Sequence, residues 1–60
     1  MDPLEISDRI TTLKREIAQL QTRQKEASRG GETALDLFLQ RRIGHLTERV
    51  NELAAERDRK

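Results

Sequence analysis

The sequence predicts an all-α protein, an antiparallel two-helix hairpin of coiled-coil type that is completed by dimerisation or by a partner protein. Apolar residues recur at alternating intervals of three and four in both halves of the chain, which is typical of a heptad seam. The two series are out of phase, because the offset from Gln24 to Ile43 is not a multiple of seven. A diglycine, Gly30-Gly31, separates them and indicates that the chain reverses there.

The first helix is predicted over about residues 3–28. Asp2 can act as the N-cap, and Pro3 suits the first helical position because its missing N–H is not needed there. Glu5 stands where a capping box places its carboxylate. These residues favour a helix that begins at Pro3.

The turn is predicted over residues 29–33, with Gly30 and Gly31 at its centre. Gly30 is expected to take the left-handed conformation that ends a helix. Thr33 is expected to cap the second helix, with the acidic Glu32 and Asp36 near the positive end of its dipole. The second helix is predicted over about residues 34–57, with fraying over residues 56–60.

Folding the two series onto each other matches one seam with the other. If the chain reverses near Gly31, Gln24 faces Leu39 and every later pair also joins two seam positions. The predicted hairpin seam consists of Ile10, Leu13, Ile17, Leu20, Leu39, Ile43, Leu46, Val50 and Leu53. A buried aliphatic side chain contributes roughly 1.5–3 kcal/mol, which is comparable to the chain entropy it must offset. The isolated hairpin is therefore expected to be marginally stable.

Several apolar residues near the turn lie beside the seam rather than in it. The predicted partner interface consists of Leu35, Leu37, Phe38 and Gly44. These side chains either complete the core of a homodimer or form a docking patch for another protein, with Phe38 as its aromatic anchor. Gly44 lies seven residues after Leu37 and hence on the same helix face. A glycine inside a helix indicates either that another helix approaches closely at this point or that the substitution is simply tolerated.

Composition bounds the class of protein and its partners. The chain has 60 residues, no cysteine, 12 basic and 11 acidic side chains, and a formal net charge of +1. A chain this short buries a limited core, so a second copy or another protein is expected to supply the missing burial. The charge balance gives no general attraction to nucleic acid, and no apolar run is long enough for membrane insertion. A cytoplasmic location is expected.

Residues that could carry chemistry are scarce. His45 is the only histidine and has no cysteine beside it, so it is expected on the solvated surface. The diglycine lacks the lysine and hydroxyl residues that follow in a phosphate-binding loop. Two helices enclose no cleft for paired carboxylates. We expect no enzyme activity, no cofactor and no metal site.

RNA binding is the alternative function. In architecture alone the predicted hairpin resembles the plasmid copy-control regulators, which dimerise into four-helix bundles and clamp paired RNA loops. Arg41 and Arg42 follow Phe38, and further basic residues lie along the first helix. Interspersed Glu16 and Glu48 dilute such a basic stripe, and one aromatic residue offers little stacking surface.

One stretch of sequence resembles a known family. Arg29-Gly30-Gly31-Glu32, followed by Phe38, Gln40, Leu46 and Glu48, looks like the turn and second helix of the small E-component co-chaperones of type III secretion needles. The resemblance implies a bacterial cytosolic helical hairpin. Such a protein joins a helical-repeat chaperone and helps to keep the needle subunit soluble before export. It carries over to three positions only: Gly30, Gly31 and Phe38.

Overall fold

The protein is an antiparallel helical hairpin, as a computed structural model that describes residues 2–59 shows. Helix α1 spans Pro3–Arg29 and helix α2 spans Thr33–Asp58. Their Cα atoms extend over 46 × 14 × 11 Å, which is the shape of two helices lying side by side. The predicted all-α hairpin is confirmed, and each helix bound lies within one residue of the predicted one.

Helix α1 begins as its sequence predicts. The Leu4 N–H donates a hydrogen bond of 3.0 Å to Oδ1 of Asp2, which therefore serves as the N-cap. Pro3 occupies the first helical position, and the Ile6 N–H closes the first turn onto the Asp2 carbonyl at 3.1 Å. One of the amides that every helix start leaves without an intrahelical partner is thereby satisfied.

The turn is a Schellman motif centred on Gly31. The Glu32 N–H donates to the Ala27 carbonyl at 2.9 Å, and the Gly31 N–H donates to the Ser28 carbonyl at 3.3 Å. Gly31 has the left-handed φ of 71°, whereas Gly30 has φ −82° and ψ 0°. The expectation that Gly30 is left-handed is wrong, because helix α1 continues through Arg29 and moves the left-handed position to Gly31.

Helix α2 begins one residue earlier than predicted. Glu32 is its N-cap and makes no side-chain capping bond, while Thr33 is already helical, so the prediction of Thr33 as the cap is wrong. The Thr33 N–H donates to the Gly31 carbonyl at 3.0 Å, and the Asp36 N–H closes the first turn of α2 onto the Glu32 carbonyl at 2.9 Å. At its far end α2 continues to Asp58, past the predicted start of fraying, and Lys60 lies outside the described residues.

The best-packed part of the hairpin lies at its open end, which is the end opposite the turn. There Ile6, Ile10, Val50 and Leu53 form one buried cluster. Three half-buried residues pack against it: Leu13, Ile17 and Ala54. Nearer the turn the buried residues are Ala27, Leu39 and Leu46. Leu20 and Ile43 are half-buried in the seam. The predicted seam positions therefore all face inward, and the closest packing is far from the turn.

Candidate partner-binding surface

A groove lies between the two helices beside the turn. This turn groove has a volume of about 460 Å³ and more apolar than polar surface. Its lining residues are Leu20, Arg23, Glu26, Ala27, Glu32, Leu35, Phe38, Leu39 and Arg42. Two of its lining residues, Ala27 on α1 and Leu39 on α2, are buried seam residues.

Phe38 stands at the rim of the turn groove and is 64% exposed. Leu35, which lies one turn earlier on α2 and lines the same groove, is 43% exposed. Both side chains flank the buried Leu39 on the side toward the groove. Two large apolar residues are thus left in water by the fold of the single chain, on the border of a concave surface.

A second groove lies nearer the open end on the same face of the hairpin. This open-end groove has a volume of about 340 Å³ and is lined by Asp8, Arg9, Thr12, Leu13, Arg49 and Leu53. Leu13 and Leu20 are one heptad apart on α1, and Arg42 and Arg49 are one heptad apart on α2. Residues spaced by seven share a helix face, so the two grooves form one continuous surface, called here the groove face.

An ion pair crosses the groove face between the two grooves. Nη2 of Arg42 lies 3.8 Å from Oε1 of Glu16, and both side chains are about half exposed. Arg49 pairs along α2 with Glu52 at 3.3 Å. Exposed pairs of this kind contribute roughly 0–1 kcal/mol, so they orient side chains more than they stabilise the hairpin. Two arginines of the groove face are nevertheless engaged by carboxylates.

The predicted partner interface divides between two faces of α2. Leu35 and Phe38 lie on the groove face. Leu37 is about 160° around the helix from Leu35, and Gly44 lies within about 20° of Leu37. Leu37 is 55% exposed, and a Cβ atom built on Gly44 meets nothing within 4 Å. The structure therefore brings Leu35 and Phe38 together and places Leu37 and Gly44 together on the outer face of α2.

The hairpin exposes more surface to solvent than a compact monomer of the same mass does. Its accessible surface is 4913 Å² for a chain of 7.0 kDa. A compact monomer of that mass exposes roughly 4,000 Å². The excess is therefore roughly 900 Å², because each helix has a neighbour on one side only.

The possible metal ligands of the described residues are dispersed over the hairpin. Within residues 2–59, no group of three His, Cys, Asp or Glu side chains could hold a metal ion. His45 is exposed and lies beside Phe38, Arg41 and Arg42 along a shallow depression. Neither helix, over the part of the chain that the structure describes, has the length and apolar character to span a membrane.

Comparison with known protein families, with curated proteins and with solved structures finds no match to this chain. The surface must therefore be interpreted from its own geometry. The predicted interface includes two residues that line the turn groove, Leu35 and Phe38, and none that line the open-end groove. The signal for that groove was present in residues that flank the seam at heptad spacing: Arg9, Glu16 and Arg23 on α1, and Leu35, Arg42 and Arg49 on α2.

Proposed function

We propose that the chain is a non-enzymatic protein-association module and that the groove face is its binding surface. The observation that carries the proposal is the exposure of Phe38 at the rim of the turn groove, beside the exposed Leu35. Aromatic side chains at the edge of a concave apolar surface gain most when a partner removes them from water. The outer face of α2 offers the exposed Leu37 near Gly44, where an added Cβ atom would meet nothing within 4 Å.

The charges of the turn groove favour a protein partner over RNA. Arg23 and Arg42 line the groove, but Glu26 and Glu32 line it as well. Arg42 is also paired with Glu16. A phosphate group would compete with a carboxylate at Arg42 and meet two more carboxylates in the same groove, whereas a mixed surface suits the polar rim of a protein interface.

The resemblance to the E-component co-chaperones offers one specific partner. It predicts that the exposed Phe38 contacts a helical-repeat chaperone in a bacterial cytosolic complex that holds a secretion-needle subunit soluble. The geometry of the groove face is compatible with such a partner, because a groove between two helices accepts an apolar helix or turn. Capture of such a helical-repeat chaperone is one outcome of the experiment that follows.

The proposed function is tested by placing a photo-crosslinking phenylalanine analogue at position 38 in the source cells. The matched control carries the same analogue at Leu37, which is also exposed on α2 but points away from the groove face. We expect protein adducts from position 38 and few from position 37. Adducts from position 37 alone, or an RNA adduct from position 38, would contradict the proposal.

A substitution at Phe38 in the purified chain measures how much this side chain contributes to the free energy of binding. Phe38→Ala is expected to weaken binding to the protein captured at position 38 by about 2 kcal/mol, which is about 30-fold in dissociation constant, because it removes the central apolar anchor. Helix content should not change, since Phe38 is outside the buried core. Sedimentation equilibrium and circular dichroism measure the two quantities. Leu37→Ala is the control and should leave both unchanged.

A further inference from the structure

We infer that the partner bound at Phe38 is an acidic protein segment, which sets an apolar side chain in the turn groove and carboxylates against the arginines beside it on α2. The inference rests on the proposed function and adds the charge of the partner to it. Two observations carry it: the distribution of charge along the hairpin, and a basic depression that adjoins the turn groove.

Charge is divided unevenly along the hairpin. Dividing each helix at its midpoint gives a turn half, residues 17–45, and an open-end half, residues 2–16 and 46–59. The turn half has five basic and three acidic side chains, whereas the open-end half has six basic and eight acidic ones. The hairpin is 46 Å long, so most charges of one half lie beyond the Debye length of about 8 Å from those of the other. A partner at the exposed Leu35 and Phe38 therefore meets the basic half.

A shallow depression on α2 adjoins the turn groove and is lined by basic side chains. This basic depression is formed by Phe38, Arg41, Arg42 and His45. Residues spaced by three and four lie on one stripe of a helix. Phe38 and Arg42 also line the turn groove, so the two concave surfaces meet along these side chains. A segment that lies across this boundary meets an aromatic ring and two guanidinium groups.

Arg41 is the group that a partner carboxylate reaches without competition. It is exposed, and it belongs to none of the ion pairs within residues 2–59. Residues 37–47 of α2, about three turns of helix, contain no acidic side chain. A guanidinium group donates two parallel hydrogen bonds to a carboxylate, which makes this pairing strong and specific. Arg41 is therefore placed to hold an acidic residue of the partner.

Arg42 offers a second position for a carboxylate. It is paired with Glu16 at 3.8 Å, and both side chains are about half exposed. Exposed ion pairs contribute little to stability, so a partner carboxylate replaces Glu16 there at small cost. The two arginines and Phe38 thus present charge and apolar surface side by side.

The remaining charges of the turn groove favour a short acidic segment over a phosphate polymer or an anionic bilayer. Glu26 and Glu32 line the groove, while the basic depression lies on α2. A protein segment places its apolar residue in the groove and its carboxylates on the depression only. A continuous anionic surface would extend over Glu26 and Glu32 as well, where like charges repel it.

The inference is tested with two labelled helical peptides that share a leucine face and have either glutamate or lysine on the polar face. We expect the purified chain to bind the glutamate peptide about tenfold more tightly at low salt, and about 0.5 M salt to remove most of this preference. Fluorescence anisotropy measures the affinities. Equal affinities, tighter binding of the lysine peptide, or no binding of either peptide at millimolar concentration would overturn the inference.

Charge reversal at Arg41 locates the preference on the basic depression. Arg41→Glu is expected to weaken binding of the glutamate peptide about tenfold, because it replaces attraction by repulsion. Arg15→Glu is the matched control. It makes the same change in net charge at an exposed position of α1, two residues after the seam residue Leu13 and hence on the opposite side of that helix. Equal losses in the two variants, with unchanged circular dichroism, would overturn the depression as the site.

Photo-crosslinking from position 38 in the source cells separates this inference from the proposed function. Mass spectrometry identifies the segment of the captured protein that is joined to position 38. We expect acidic residues within about one helical turn of the attachment point, since Arg41 lies one turn from Phe38. A captured segment that is neutral or basic would overturn the acidic partner and leave the proposed function standing. Capture of RNA in place of a protein would overturn both.

Discussion

The two ends of the hairpin are held together in different ways. At the open end, the two helices are held together by side-chain packing, because Ile6, Ile10, Val50 and Leu53 form one buried cluster. At the turn end, backbone hydrogen bonds fix the reversal of the chain, namely the Schellman bonds donated by Glu32 and Gly31. The turn end leaves Leu35 and Phe38 in water on the border of a groove, whereas at the open end the exposed large apolar side chain is Leu4.

This difference shows how a very small chain can be folded and still keep apolar surface for a partner. A turn fixed by backbone hydrogen bonds does not require a dense side-chain core beside it. The apolar residues near the turn are then free to face outward. The cost is that stability within the single chain depends on a few layers at the opposite end.

The largest effect is expected from breaking the open end. Leu53 is 1% exposed and belongs to the buried cluster. Leu53→Ala should destabilise the hairpin by about 2–5 kcal/mol, because it removes transfer free energy and leaves a cavity. The control is Leu4→Ala, which truncates a leucine that is 73% exposed and should change stability by less than about 0.5 kcal/mol. Urea unfolding followed by circular dichroism measures both, and equal losses would refute the contrast.

An intermediate effect is expected from straining the turn end. Gly31→Ala should cost about 1–2 kcal/mol, because its φ of 71° is unfavourable for a residue with a Cβ atom. Gly30→Ala is the matched control. Gly30 has φ −82°, and its nearest neighbour to an added Cβ is the Glu26 carbonyl oxygen at 3.5 Å, an ordinary contact. If the two substitutions cost the same in thermal unfolding, the assignment of the left-handed position to Gly31 is incorrect.

The smallest effect, and one of opposite sign, is expected on the outer face of α2. A Cβ atom at Gly44 meets nothing within 4 Å, so Gly44→Ala should raise the free energy of unfolding by about 1 kcal/mol through helix propensity. Association should be unchanged, since the groove face lies elsewhere. Loss of association in sedimentation would instead place a partner against the outer face and shift the binding surface away from Phe38.

Most of the fold follows from the sequence, because heptad spacing, the Asp2 and Pro3 cap and the diglycine all act locally. The two wrong predictions, the left-handed glycine and the cap of α2, also concern local structure. Gly30 and Gly31 both suit the left-handed position, and only the hydrogen bond from Glu32 to Ala27 decides between them. The prediction of Thr33 as the cap of α2 fails for a related reason: the chain reverses at Gly31, so the Glu32 carbonyl accepts the first intrahelical hydrogen bond, from Asp36.

The binding surface was harder to predict than the fold. The sequence identified Phe38 and its neighbours as apolar residues beyond the seam, but it grouped Leu35 with Leu37, which lie on different faces of α2. The grooves depend on how side chains of α1 and α2 meet, for instance Leu13 with Arg49 in one groove. Such depressions arise from the contact of two helices, and the pattern of a single helix does not encode them.

The location of the buried cluster also bears on how the hairpin opens. Ile10 and Val50 belong to one buried cluster, so separating the helices there would expose several apolar side chains at once. Local fluctuations therefore start where packing is thinnest, around the turn groove, and amide hydrogens near Leu39 exchange with solvent before those near Val50. The binding surface is the part of the protein that a partner would rigidify most.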